Sequence, residues 1–336
     1  MSRATNQTET AEQLLPVASI VEAGRRIEDD ILRTALVPSM TLSARSGGSI
    51  HLKLEHHQLT GSFKLRGATN AILSLSEDRK RKGVVTFSTG NHGRALSYAA
   101  RRAGVACVIC MSELVPQNKI EAIGFLGADV RIVGRSQDEA QVEVERLAEE
   151  AGMTIVPPFD DPLVIAGQGT LGMEILDDMA HPDTVLVPLS GGGLISGVAR
   201  AIKAYCPQTR IIGISMEHGA AMAASIRAGK PVTVEEVPTL ADSLGGGIGL
   251  DNRWTFEMTR ALVDDIVLLS EHEIAAGISH AYWQEGEIVE GAGAVGIAAL
   301  LAGKIDNPGQ CVAIMTGCNL DMSVHHQLIS GERVSQ

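Results

Sequence analysis

Short apolar runs separated by helix-length segments recur along this chain, and that alternation restricts the fold more than any other feature. His51–Leu54, Gly83–Phe87, Val105–Met111, Asp129–Val133, Thr154–Val156, Thr184–Pro188, Arg210–Ser215, Ile266–Leu269 and Gln310–Met315 read as strands. Most are apolar throughout, the pattern of strands covered on both faces. Ile20–Leu32, Asn91–Ala103, Pro116–Leu126 and Gln137–Ala151 read as helices, the last three stopped by Gly104, Gly127 and Gly152. Strand and helix in turn predict an α/β fold with parallel sheets. A chain of 336 residues has room for two domains. No low-complexity linker divides it, so one domain is inserted in the other or both share a cleft. Met1 to about Gln13 reads as a frayed tail.

Charge and composition remove several functions. The net charge is −12 and aromatic residues make up only 3%, which argues against a nucleic-acid or anionic-membrane surface. No run of 18 apolar residues is present and the N-terminus has no apolar signal core, so a cytoplasmic protein is expected. A local site can still bind an anion against the overall field. Five cysteines are scattered without a disulfide framework. Cys107 and Cys110 lie inside the strand run Val105–Met111 and read as buried structural thiols.

Three glycine loops stand out. Ser190-Gly191-Gly192-Gly193-Leu194 follows the strand Thr184–Leu189 and precedes a helix from Ile195. Converging backbone N–H groups and a helix start make this an anion site, or else a tight turn. It is neither a dinucleotide fingerprint nor a Walker loop. Ser88-Thr89-Gly90-Asn91-His92-Gly93 offers hydroxyl, amide and backbone donors at a helix start, which suits a carboxylate, or else an ordinary cap. Gly245-Gly246-Gly247-Ile248-Gly249 reads as a flexible turn. Lys64 sits in Thr60-Gly61-Ser62-Phe63-Lys64-Leu65-Arg66-Gly67-Ala68, among small residues and one aromatic. Lysines at helix starts are ordinarily solvated. In a partly dry pocket, however, such an amine has a lowered pKa and forms a Schiff base. A phosphate loop together with such a lysine is what pyridoxal 5'-phosphate requires.

Gly61–Ala68, Ser88–Gly93, Ser190–Leu194 and Thr316-Gly317-Cys318-Asn319, in this order, resemble the motif set of fold-type II pyridoxal-phosphate enzymes, the tryptophan synthase β-like fold. The likeness to the serine/threonine dehydratase and serine racemase group runs roughly from Ile20 to Asp321, and Ala166–Thr170 and Glu290–Ala294 fit it too. Within that group, Gly134–Ala140, Met216–Met222 and His280–Gln284 look most like hydroxyectoine-utilisation dehydratases. The resemblance implies two parallel-sheet α/β domains with the cofactor in the cleft between them. Residues 1–82 with 158–336 would form the large domain and 83–157 the small inserted one. It also implies a homodimer acting on a small amino acid; the short stretch after the Thr316 motif leads us to expect no separate amino-acid-sensing module there.

The same resemblance implies residue roles. Lys64 would be the Schiff-base lysine and the base at the α-carbon, and Phe63 would pack beside the ring. Asn91 would bond the ring hydroxyl oxygen, and Thr316 would face the ring nitrogen. Gly191, Gly192, Gly193 and Leu194 would cradle the phosphate. Ser88, Thr89, Asn91 and His92 would hold the α-carboxylate. The implied reaction is β-elimination from a β-hydroxy amino acid to a keto acid and ammonia. A racemase or β-replacement synthase on the same fold, and a non-catalytic cofactor-binding protein, are the alternatives.

Four positions depart from the group's pattern. Ser190 stands where many relatives have glycine. Thr89 stands where serine racemases carry a second serine, the acid/base on the opposite cofactor face. It keeps a hydroxyl and so is a catalytic candidate beside Lys64, but its β-branched side chain is stiffer, which puts racemisation in doubt. Arg94 replaces a common glutamine, and either is solvated or holds a second anionic group, as in a hydroxyaspartate. Glu217 matches one ligand of the group's divalent-cation site, but Ala223 stands where a second acid would be, so no metal is assigned.

Overall fold

The computed structural model describes residues 12–330, positions 89, 116 and 136 excepted. Ten strands form two sheets: β1 Leu36–Pro38, β2 Ser49–Lys53, β3 Val84–Phe87, β4 Cys107–Met111, β5 Asp129–Ile132, β6 Thr154–Ile155, β7 Thr184–Pro188, β8 Arg210–Met216, β9 Asp265–Leu269 and β10 Gln310–Ile314. The larger sheet has the order β1-β2-β10-β7-β8-β9 and the smaller β5-β4-β3-β6. Every pairing is parallel except β1 with β2. The sequence runs locate nine of these strands. The antiparallel edge strand β1 escapes them because three residues carry no period.

Side chains along β7 show why its sequence is apolar throughout. Val185 and Val187 enter one core with Ile165, Leu171, Ile195 and Val198, from the helices Pro162–Asp178 and Gly193–Tyr205. Leu186 enters another with Ile274, Ile278, Val295 and Ile297, from the helices Glu271–Glu285 and Gly291–Leu301. Alternate residues point to opposite faces, and helices cover both.

The helix Lys64–Leu73 is placed by close backbone contact. A Cβ on Gly167 would lie 2.6 Å from both the Arg66 carbonyl oxygen and the Gly67 Cα, so only glycine lets the helix Pro162–Asp178 approach there. Gly169 and Gly197 meet in the same manner, bringing that helix against the helix Gly193–Tyr205. The Ala166–Thr170 motif thus packs helices and sets where Lys64 begins its own. Leu65, Ala68, Ala71 and Ile72 of that helix share a core with Val84, Leu96 and Ile109 around the smaller sheet.

Cys107, Cys110 and Cys311 are buried and free. Burial pushes the Cys107 thiol up to about 12 and Cys110 to about 11, so neither is a nucleophile or a ready metal ligand at neutral pH. Among the described residues no helix is long and apolar enough to cross a membrane.

Candidate active site

The loop before Lys64 is pinned to the loop after β10. Ser62 bridges to Gly317, the Phe63 N–H donates to the Thr316 carbonyl at 3.1 Å, and the Cys318 N–H to Gly61 at 2.9 Å. Two motifs some 250 residues apart are therefore one piece of structure. Thr316 is buried beneath it, and Phe63 packs against the core around β7.

Lys64 opens its helix with its side chain turned inward. Its Nζ donates to the Pro158 carbonyl at 2.7 Å and lies 5.4 Å from the Phe63 ring centre. Burial brings the ammonium down to about 8, against an opposing pull from the Glu290 charge. The next residue, Phe159, covers the glycine loop: a Cβ on Gly191 would sit 2.3 Å from its ring, and one on Gly193 3.0 Å from its Cα. Packing thus imposes glycine here, in addition to any demand from a phosphate. Gly192 has φ +88° and caps the helix Gly193–Tyr205, whose first N–H groups have no intrahelical acceptor. Leu194 is buried. Thr259 Oγ1, buried without a partner, packs against Gly192.

Asn91 begins the helix Asn91–Arg102 and is tied on both ends of its amide. Its Nδ2 donates to Glu290 Oε1 at 2.8 Å and, at a long 3.4 Å, to Ser243 Oγ, while Asn319 Nδ2 donates to its Oδ1 at 2.6 Å. The weak Ser243 contact leaves one amide proton for an incoming oxygen. Burial pushes the Glu290 carboxyl up to about 7. His92 turns its ring inward, with Nε2 2.8 Å from the Val156 carbonyl. Burial and the Lys64 charge pull it down to about 3, so the ring is neutral. Ser88 directly follows β3 and is half-buried. Thr89 lies outside the described residues. Arg94, on the first helical turn, has its Nε buried without a hydrogen bond.

Three residues of this neighbourhood were not singled out from the sequence as site residues: Glu290, Ser243 and Phe159. Glu290 was legible only as part of a glycine motif, and its contact with Asn91 spans 199 residues. Ser243 lies just before Gly245–Gly249, so that loop borders the site. Glu217 sits 4.0 Å from Lys304 Nζ, already beside a cation.

Residues 27–317 match the model of the pyridoxal-phosphate dependent enzyme family. The chain belongs to that family. It is a pyridoxal-phosphate dependent lyase of the serine/threonine dehydratase-like group. A Sinorhizobium fredii protein provisionally named a threonine dehydratase is 59% identical over 94% of this chain and 96% of its own. The Thermotoga maritima L-threonine ammonia-lyase is 42% identical over 94% of this chain and 79% of its own. Among solved structures, maize serine racemase superposes with a TM-score of 0.88 at 33% identity, covering 94% of this chain and 97% of that one. The processed form of threonine deaminase isoform 2 from Solanum lycopersicum gives 0.88 at 37%, covering 96% and 88%. The residues fit the cofactor on their own terms. A partly desolvated amine suits its aldehyde, and a helix start with an orphan hydroxyl suits its phosphate.

Proposed function

We propose that this lyase removes the β-hydroxyl and then the amino group of a small β-hydroxy amino acid, releasing a keto acid and ammonia. The observation that carries the reading is the inward-turned Lys64 amine, near 8, one residue's contact away from the loop Gly191–Gly193. Bound pyridoxal phosphate supplies an electron sink that acidifies the substrate α-carbon. Lys64 anchors it and takes the α proton, its lowered basicity matched to neutral pH. The same ammonium then gives a proton to the departing hydroxyl, which leaves as water. The backbone N–H groups of Gly191, Gly192, Gly193 and Leu194 hold the phosphate. Asn91 would bond the ring hydroxyl oxygen, Thr316 would offer the ring nitrogen a neutral hydroxyl, and Phe63 would pack beside the ring. Ser88, Thr89, Asn91 and His92 hold the α-carboxylate. With its ring committed to Val156, His92 contributes its backbone N–H. Keto acid and ammonia release from L-threonine, L-serine, 3-hydroxyaspartate and hydroxylated diaminobutyrate derivatives tests the reading. Formation of D-amino acids without keto acid would replace it with the racemase.

Arg94 favours one substrate class. Among the described residues it has no acidic partner, and a buried unsatisfied donor costs roughly 1–3 kcal/mol. A second substrate carboxylate satisfies it, as in 3-hydroxyaspartate. A free second amine, as in a hydroxyectoine-derived diaminobutyrate, faces the same guanidinium and is repelled. Arg94→Gln is expected to lower kcat/KM on 3-hydroxyaspartate by roughly 10–100-fold while changing that on threonine little. Equal losses on both substrates would sink the assignment.

The grouping of β3, β4, β5 and β6 in one sheet supports 83–157 as a small inserted domain, though the helix Lys64–Leu73 shares its core. We also propose a homodimer in the cytoplasm. Trp283, 61% exposed, lines an open groove of about 830 Å³ with Thr41, Arg45 and Leu301, a surface of the kind a second copy covers. Light scattering should give twice the chain mass; a monomer at working concentration rejects this.

A further inference from the structure

Two imidazoles and a carboxylate converge beside the active site without belonging to it. His56 and His57 lie in the 3-10 turn Glu55–His57, and Glu287 lies just after the helix Glu271–Glu285. Nε2 of each histidine is 2.8 Å from the same oxygen, Glu287 Oε2. The ring centres are 4.2 Å apart, and the three donor atoms all fall within 4.8 Å of one another. His56 is buried, Glu287 is half-buried, and the His57 side chain is 51% exposed.

We propose that His56, His57 and Glu287 bind a borderline transition-metal dication, with zinc as the type ion, at a site separate from the cofactor pocket. Two imidazole nitrogens and one carboxylate oxygen are the donors zinc and its neighbours take; magnesium and calcium require oxygen ligands. Metal bonds of roughly 2.0–2.2 Å in a tetrahedron set donors about 3.4 Å apart. The 2.8 Å contacts therefore open by a little over half an ångström, roughly what a turn of the exposed His57 ring supplies. The exposed side of His57 leaves the fourth position to water. In the metal-free protein the three groups satisfy one another, each Nε2–H donating to Glu287. With the ion bound, each ring presents the Nε2 lone pair and carries its proton on Nδ1. His56 Nδ1 is buried without a partner. The Met315 carbonyl acts on that ring without making a full hydrogen bond, so the outer contact is weak and the ion exchangeable.

The ion joins two segments that reach the active site. The turn Glu55–His57 runs on through Gly61 to Lys64, and the Cys318 thiol donates to the His56 carbonyl at 3.3 Å. Glu287 is three residues before Glu290, which holds Asn91. Occupancy stiffens the frame around both.

Holoenzyme stripped with a chelator and titrated calorimetrically with zinc chloride tests the site. One saturable equivalent per chain is expected. Affinity should fall about tenfold or more in His57→Ala and in Glu287→Gln. His181→Ala should bind as the wild type does, which excludes the surface pair of Cys206 and His181. Cobalt(II) in place of zinc should show ligand-field bands without a near-ultraviolet thiolate band. His57 is half exposed, so its variant should keep the wild-type fold, checked by circular dichroism. No saturable binding to the wild type, unchanged affinity in both variants, or a thiolate band would each overturn the proposal.

Discussion

Lys64→Ala is expected to cut turnover by at least about 10³-fold, since it removes a base worth roughly 10²–10⁴ and the covalent anchor together. The visible absorbance of the bound cofactor should move to that of a non-covalent complex. The fold should survive, because the side chain's one hydrogen bond is to the Pro158 carbonyl. Lys64→Arg should be about as inactive, as a guanidinium keeps its charge and is no nucleophile. The pH behaviour carries a sign. Burial favours the neutral amine and brings Lys64 to about 8, while Glu290 opposes this. In cofactor-free protein, uptake of pyridoxal phosphate should rise roughly tenfold per pH unit below about 8 and flatten above it, following the neutral amine. An uptake rate independent of pH across that range would contradict the desolvated amine.

Arg66→Met should destabilise the protein by about 3–5 kcal/mol and lower the unfolding midpoint by on the order of 5–15 °C. Arg66 is fully buried two residues after Lys64. Its Nε and one terminal nitrogen donate to Glu55 at 2.7 and 2.8 Å, and both terminal nitrogens donate to Glu174 at 2.6 and 2.9 Å. Lys53 Nζ, also buried, donates to Glu174 at 2.8 Å and to the Thr34 carbonyl at 2.7 Å. Removing Arg66 leaves the Glu55 carboxylate buried with the Thr34 hydroxyl and the more remote Lys53 charge in place of two direct guanidinium hydrogen bonds. Burial alone would raise the Glu55 pKa, but the Arg66 charge and hydrogen bonds carry it below the usual value. A depressed carboxylate stabilises above its unfolded pKa, and that stability is lost as pH falls through the folded one. The gap between wild type and variant should therefore be widest at neutral pH and narrow in acid, below about pH 4. Calorimetry at neutral and acid pH reads this; a constant gap would remove Glu55 from the account. Cofactor affinity should weaken as well, since the same cluster anchors the helix that Lys64 begins.

Local signals and distant partners divide what was legible. The strand runs, the glycine stops and the buried CxxC pair were all readable from the residues themselves. The pairing of Asn91 with Glu290, the cover that Phe159 places over Gly191, and the meeting of His56 and His57 with Glu287 were not. Each joins residues with no shared period or motif. The Arg66 cluster escaped for the same reason: a charged residue in a helical pattern reads as surface until the partners that bury it are known.

The sequence by itself determined the parallel α/β class and the order of the motifs, and it singled out Lys64 as the candidate for cofactor chemistry. These follow from period, turn chemistry and residue type, which act over a few positions. Only the tertiary structure decided that Lys64 faces inward, that the His92 ring is spent on Val156, and that Gly191 is glycine because Phe159 lies on it. Those outcomes depend on which surfaces the folded chain brings within contact, and burial then alters the basicity and the hydrogen-bond partners of each group.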